Sequence, residues 1–195
     1  MVSNCSGLSK TRMIIRAEEL RNTESLSNVS DNLPGYYKWW AERPELDRIL
    51  SELETEFSEV SSFIERKDNL YCIYVGIAAK ESIRKRLNWH VNDRHTPSRV
   101  VHGTLSTLRQ SISSIVAHNQ YNQDATDEFI DKLTVEWFAL DDPIKSQTAI
   151  DKLHAKEQEI MSEYLCVLNI KDNRFPQARP IKRRLTALRR VSKQL

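Results

Sequence analysis

Gly35-Tyr36-Tyr37-Lys38-Trp39-Trp40 and, further on, Leu70-Tyr71-Cys72-Ile73-Tyr74-Val75-Gly76 decide the fold. Aromatic and β-branched side chains at this density suit the pleated surface of a sheet, so both runs read as strands. Turn chemistry at Leu33-Pro34-Gly35 launches the first, and Gly76 closes the second. Between them the period changes. Leu46, Ile49, Leu50, Leu53, Phe57, Val60 and Ile64 recur mainly at steps of three and four over residues 44–67. That is the stripe of one amphipathic helix, opened by Pro44 and broken at Asp68-Asn69.

Toward the C-terminus, residues 82–91 read as a basic helix carrying Arg84, Lys85 and Arg86. A helix over 104–118 has Leu105, Leu108, Ile112, Ile115 and Val116 as its stripe. A short helix over 127–133 and a strand over 134–140 follow. Asp142 before Pro143 is placed to cap a long helix that reaches about residue 164. Residues 165–170 read as a final strand, and a basic helix runs from residue 181 onward. The mixture defines the α+β class. Toward the N-terminus, residues 1–30 are rich in Ser and Asn with one apolar island, Met13-Ile14-Ile15. They are expected to form a partly disordered extension holding one short element. The expected division is an extension over 1–30, a main domain over 31–175 and a basic helix or tail over 176–195.

Composition excludes some functions. No apolar run approaches the roughly 18–20 residues that span a bilayer. Residues 1–10 are polar and lack the apolar segment of a secretory signal. Cys5, Cys72 and Cys166 are widely spaced and odd in number, which makes neither a metal-ligand spacing nor a disulfide framework. Cys72 and Cys166 sit in apolar runs as small hydrophobes, and a reducing, cytoplasmic setting is expected. The net charge of +2 hides an asymmetry. Residues 171–195 hold nine Lys/Arg and one acid, Asp172, a local net of +8, which leaves −6 for the rest. A basic end on an acidic body suits a polyanion as well as it suits a solvated helix.

The motif evidence lies in order and spacing. Gly35-Tyr36-Tyr37 lies on one strand, Tyr74-Val75-Gly76 ends the next, and Arg86-Leu87-Asn88-Trp89-His90 follows on a helix. Later, Glu157 precedes Ile160 and Met161, with Asn169 twelve positions after Glu157. This series resembles the signature of the GIY-YIG nucleases over about residues 35–170. The resemblance implies a small three-stranded mixed or antiparallel sheet flanked by helices, with helical insertions. It implies a single-domain, metal-dependent endonuclease that hydrolyses phosphodiester bonds. The helical segment between the tyrosine strands is closer to the family's restriction enzymes than to its compact repair nucleases. Ile77 stands where many members carry Lys.

From that resemblance Tyr37, Tyr74, Arg86, His90, Glu157 and Asn169 are the candidate catalytic residues. Glu157 would hold one Mg²⁺ or Mn²⁺ ion, with Glu159 and Glu163 as competing ligands; hard cations of this kind keep several waters. Arg86 would bind the scissile phosphate through its fixed guanidinium fork. His90, four residues on, shares its helix face as a proton shuttle, a phosphate donor or a structural group in the site wall. One tyrosine would act as general base and the other would orient the water; Tyr37 is assigned the base. A phenol titrating near 10 needs that value lowered by Arg86 and the metal. Asn169, or alternatively Asn173, would brace the site by side-chain hydrogen bonds. Tyr36 and Tyr71 are assigned to packing, as are most of Trp39, Trp40, Trp89 and Trp137.

The expected partner is DNA, with RNA also compatible and no membrane. Arg84, Lys85, Arg109, Lys182, Arg183 and Arg184 are the candidate contacts. Arg109 would join Thr104, Ser106 and Thr107 in a phosphate cradle at a helix start. A symmetric double-strand cut would call for a homodimer or two successive nicks. The competing reading is a binding module of the same fold without catalysis.

Overall fold

The computed structural model describes residues 13–194. A five-stranded antiparallel sheet runs in the order β1-β5-β2-β4-β3, with β1 at Met13–Arg16, β2 at Gly35–Ala41, β3 at Arg66–Lys67, β4 at Leu70–Ala78 and β5 at Thr134–Ala139. The expectation of three strands is corrected. The three inner strands are the ones expected from residues 36–40, 70–75 and 134–140, and two short edge strands extend them. Residues 1–12, including Cys5 and most of the expected irregular extension, lie outside the described residues. The apolar island at Met13 becomes β1, which pairs antiparallel with β5.

Strand β2 is buried along almost its whole length because both faces of the sheet are covered. On one face Tyr37, Trp39 and Ala41 join the larger core with Ile73, Tyr74, Leu87, Leu108 and Leu185. On the other, Tyr36, Trp40, Cys72 and Val75 pack against Leu153, Ile160 and Met161 of helix α8 (Gln147–Glu163). The remaining described helices are α1 (Thr23–Ser27), α2 (Arg43–Glu52), α3 (Phe57–Val60), α4 (Ile83–Asn92), α5 (Pro97–Val101), α6 (Thr107–Val116), α7 (Gln123–Asp131) and α9 (Ala178–Val191). None of the described helices is long and apolar enough to cross a membrane.

The β2–β4 register holds the feature that builds the site. Tyr37 lies opposite Gly76, and Trp39 lies opposite Tyr74. The next pair, Trp40 with Cys72, skips Ile73, so β4 carries a bulge there. Side chains alternate faces along a strand. Without the extra residue Tyr71 and Tyr74 would point to opposite faces; with it both join the core on the face of Tyr37. Bulges re-aim side chains in this way beside functional sites.

Four expectations about elements need correction. The single helix expected over 44–67 is broken into α2 and α3, because Glu54 adopts a left-handed conformation at φ 53° after buried Leu53 and the chain restarts at Phe57, and its last residues form a 3-10 turn and strand β3. Period alone carried the stripe across this break, since the buried positions on both sides still face one core. The long helix starts later than Pro143 and is capped by Ser146, whose hydroxyl accepts from Ala149 N–H. Helix α6 likewise starts at Thr107, capped by Ser106. Residues 165–170 are not a strand. They run beside the free edge of β4, where Leu168 N–H donates to the Ile73 carbonyl at 2.9 Å. The next pair of bonds comes from the Asn169 side chain, so the segment substitutes for a strand without regular pairing.

Candidate active site

Tyr37 and Tyr74 stand side by side on the inner face of β2 and β4, ring centroids 6.4 Å apart. Helix α4 crosses them and brings His90. Its Nε2 is 2.7 Å from the Tyr37 hydroxyl, and its Nδ1 is 3.0 Å from Ser106 Oγ at the start of α6. Leu87 and Val91, fully buried on the same helix, fix which face α4 presents. Glycine is required at position 76. A Cβ there would lie 2.5 Å from the Tyr37 hydroxyl and 2.6 Å from its Cζ, so the tyrosine ring occupies the space of the missing side chain.

Arg86 sits one turn before His90. Its guanidinium stacks over Trp89 at 4.7 Å and pairs with Glu81 at 2.5 Å. Its Nε is buried and without a partner among the described residues. Glu81, in the loop between β4 and α4, carries no motif signature and was not anticipated. A cleft of about 680 Å³ opens beside Arg86, lined by Glu81, Lys85, Asn88, Trp89 and Asn92 among others.

The electrostatics show what burial does to these groups. Burial, then the neighbouring Tyr74, push the Tyr37 phenol well above its ordinary value, and Arg86 pulls it only partly back. Burial and Glu157 raise Tyr74 to about 12, against the lowering effect of Arg86 and Arg189. Burial, Arg86 and Arg109 push His90 well below 6.5, so its imidazole is neutral. Burial and Asp172 raise Glu157 to about 7, while Lys171 and Arg86 lower it. The charge of Arg86 thus reaches Tyr37, Tyr74, His90 and Glu157 alike.

The described hydrogen bonds of the Asn169 side chain go to backbone. Its amide donates to the Val75 carbonyl at 2.8 Å and its oxygen accepts from Val75 N–H at 2.9 Å. It therefore clamps β4 between Tyr74 and Gly76. Asn173 serves the loop instead, donating to the carbonyls of Cys166 and Asn169.

The expected nucleic-acid contacts separate. Arg109 is corrected: it is wholly buried, donating to the His90 and Val91 carbonyls and to His95 and pairing with Asp127 at 2.5 Å. No surface remains on it for a phosphate. The cradle it was to form is ordinary capping by Ser106. Arg84 spends its guanidinium on the Val29 and Ser27 carbonyls and on Asp31, fastening the N-terminal segment to α4. Lys182 donates to the Asn173 carbonyl, and Arg184 binds the Glu52 carbonyl and pairs with Glu54. Lys85 and Arg183 are exposed. Of the tryptophans, Trp39, Trp40 and Trp137 are core, while Trp89 lines the cleft.

Among the described residues no cluster of three or more His, Cys, Asp or Glu side chains is placed to hold a metal. The donor set instead fits a hydrated hard cation on one carboxylate. Glu157 is largely buried, its charge is disfavoured by burial and by Asp172, and a cation would offset both.

The GIY-YIG catalytic domain family matches residues 35–191, and the chain belongs to that family. It is a family of endonucleases, generally dependent on divalent metal, whose substrate class is nucleic acid. No curated protein and no solved structure matches the chain. The matched span includes all six candidate catalytic residues and also helix α9.

Proposed function

We propose that the chain is a DNA endonuclease that hydrolyses a phosphodiester bond at this site with one divalent cation, Mg²⁺ or Mn²⁺. One observation carries the reading. Tyr37, Tyr74 and His90 come from distant parts of the sequence and are buried with their rings 5.1 to 6.4 Å apart, with Arg86 one turn before His90 and Glu157 largely buried. Gathering desolvated polar groups around one cation costs folding energy that packing alone gives no reason to spend.

Arg86 receives the oxygens of the scissile phosphate through its guanidinium, displacing Glu81 from Nη2. Tyr37 takes the proton of the attacking water as its own passes to His90 Nε2, 2.7 Å away. This needs the tautomer with the proton on Nδ1, donated to Ser106 Oγ. The depressed affinity of His90 for protons leaves Nε2 free as an acceptor at neutral pH. The relay leaves the proton on His90 in place of a free tyrosinate, and the bound phosphate's negative charge is what would offset the imidazolium that burial, Arg86 and Arg109 oppose. Tyr74 orients the water, and Asn169 holds both Tyr74 and Gly76 in register. Glu157 would hold the cation, which when bound neutralises charge developing on the phosphate and leaving oxygen. Cutting both strands calls for two copies of the chain or two successive nicks.

The test is cleavage of supercoiled plasmid by purified protein with Mg²⁺ or Mn²⁺, beside Glu157→Ala, Arg86→Ala and Tyr37→Phe. Wild type nicks or linearises the plasmid, and each variant loses about 10²-fold or more. Equal cleavage by all four proteins marks a contaminant and removes the assignment. Binding without cleavage of any DNA or RNA leaves a non-catalytic module of the same fold.

A further inference from the structure

The reaction above makes no use of Arg189. Helix α9 sorts its cations by phase. Ala178, Ile181 and Leu185 seal the core, and Lys182 and Arg184 are tied to neighbouring carbonyls. Thr186, Arg189 and Lys193 recur at steps of three and four on one side, and Arg190 lies one turn from Thr186. Together with Gln110 and Ile170 these four residues line a recess of about 350 Å³.

Arg189 is held in place there. Buried Gln110 donates through its amide to the Gly103 and Leu105 carbonyls, at 3.1 and 2.6 Å, and its oxygen accepts from Arg189 Nη2. The guanidinium is partly desolvated, and among the described residues no carboxylate pairs with Arg189, Arg190 or Lys193. Three cations around one recess repel each other, and partial burial strengthens that repulsion. An anion in the recess would relieve it. Ile170, which lines the recess, directly follows Asn169, whose side chain clamps Val75 next to Tyr74, so the recess lies beside the strand that carries the active-site tyrosine.

We propose that the recess formed by Thr186, Arg189, Arg190 and Lys193 is a second phosphate subsite, which takes a backbone phosphate of the DNA next to the one bound at Arg86. The proposal deepens the nuclease reading and rests on it for the identity of the polyanion. Arg189, pre-set by Gln110, makes the directional contact; exposed Arg190 and half-buried Lys193 add charge at the rim. The subsite sets where the duplex lies across the tyrosines without reading its bases.

The experiment is fluorescence anisotropy of a labelled DNA duplex in EDTA, where no cleavage occurs, over a series of NaCl concentrations. Arg189→Gln should flatten the slope of log K against log[salt] by about 0.9, the share of one phosphate, and Arg190→Gln and Lys193→Gln should each flatten it by part of that, alike on unrelated sequences. Thr186→Glu, an exposed substitution that leaves every described contact intact, should weaken binding. Lys132→Gln, an equal charge change just after α7, should leave the slope alone. Thermal unfolding checks each variant, and if Arg189→Gln fails to fold the other three still decide. Wild-type slopes in all recess variants, or an equal change in Lys132→Gln, overturn the subsite even if plasmid is cut. Flattened slopes in a protein that cuts nothing uphold the subsite and reject the nuclease reading. A wild type without salt-dependent DNA binding overturns the subsite.

Discussion

Gly76→Ala tests whether the Tyr37–His90 pair is the working centre of the site. The glycine backbone is an ordinary strand conformation, so alanine meets no conformational strain and its effect is steric. The new methyl would lie 2.5 Å from the Tyr37 hydroxyl and 2.6 Å from Cζ. Relaxed contacts of this kind lie near 3.5 Å, so the ring must move by about 1 Å. The present bond to His90 Nε2 is 2.7 Å. A shift of about that size takes it past hydrogen-bonding range. Overpacking of a buried position costs about 1–3 kcal/mol, and a misplacement of about 1 Å costs about 10²-fold in rate. Single-turnover cleavage and urea unfolding, measured on the same preparation, separate the two. The informative comparison is Gly35→Ala, whose Cβ would strike the Phe138 carbonyl at 2.3 Å and leave the tyrosine untouched. Gly35→Ala should lose stability, whereas Gly76→Ala should lose rate out of proportion to stability. A Gly76→Ala protein that cleaves at the wild-type rate would refute both the geometry and the role given to Tyr37.

Three further outcomes follow from the same contacts. Folded His90 holds its proton less tightly than the unfolded chain does, so its contribution to stability is complete above about 6.5 and falls by up to about 1.4 kcal/mol per pH unit below it; urea midpoints from pH 7.5 to 5 should flatten in His90→Gln, and an unchanged acid dependence would count against a neutral buried imidazole. Glu157 has the opposite sign: its folded value of about 7 exceeds the ordinary 4.5, so metal-free stability declines as pH rises between them, by at most about 3 kcal/mol. In EDTA at pH 8 Glu157→Gln should therefore melt above wild type, and Mg²⁺ should raise the melting temperature of wild type only; equal shifts would remove Glu157 as the ligand. Asn169→Ala leaves the Val75 N–H and carbonyl unpaired at the β4 edge, a loss of about 2–4 kcal/mol by chemical denaturation, and a loss under about 1 kcal/mol would mean that water replaces the clamp.

The α+β class and the three inner strands were legible in the sequence, and the residues singled out there as a candidate site do lie together in the fold. The spacing of Arg86 and His90 on one helix face, and of the two tyrosine triplets, survives because local chemistry enforces it. Tyr37 needs a glycine opposite, and His90 must be one turn from Arg86 to reach the same pocket. What failed was set by distant parts of the chain. Arg109 looks like an exposed cation at a helix start, and only the docking of α4 and α7 around it shows that it serves Asp127 and two carbonyls. The bulge at Ile73 leaves no mark in the residues, although it decides that Tyr74 faces Tyr37. Glu81 and Arg189 belong to none of the motif blocks, and their significance comes from what they adjoin. Residues 165–170 have strand composition because they pack as a strand would, while the Asn169 side chain replaces the ladder that composition promises.

These placements share one physical theme. Burial drives Tyr37, Tyr74, His90 and Glu157 toward their neutral forms, which leaves Arg86 as the charge that all four feel. Without substrate that charge is matched by Glu81 at 2.5 Å. On the proposed reading a phosphate entering the site competes with that carboxylate for the Arg86 guanidinium. Glu81→Gln therefore separates binding from chemistry. It should tighten DNA binding in EDTA by weakening the competitor, and it should leave the Tyr37–His90 bond in place. If Glu81→Gln instead weakens binding, the carboxylate organises Arg86 for the phosphate rather than shielding it, and the sequence of displacement argued here is wrong.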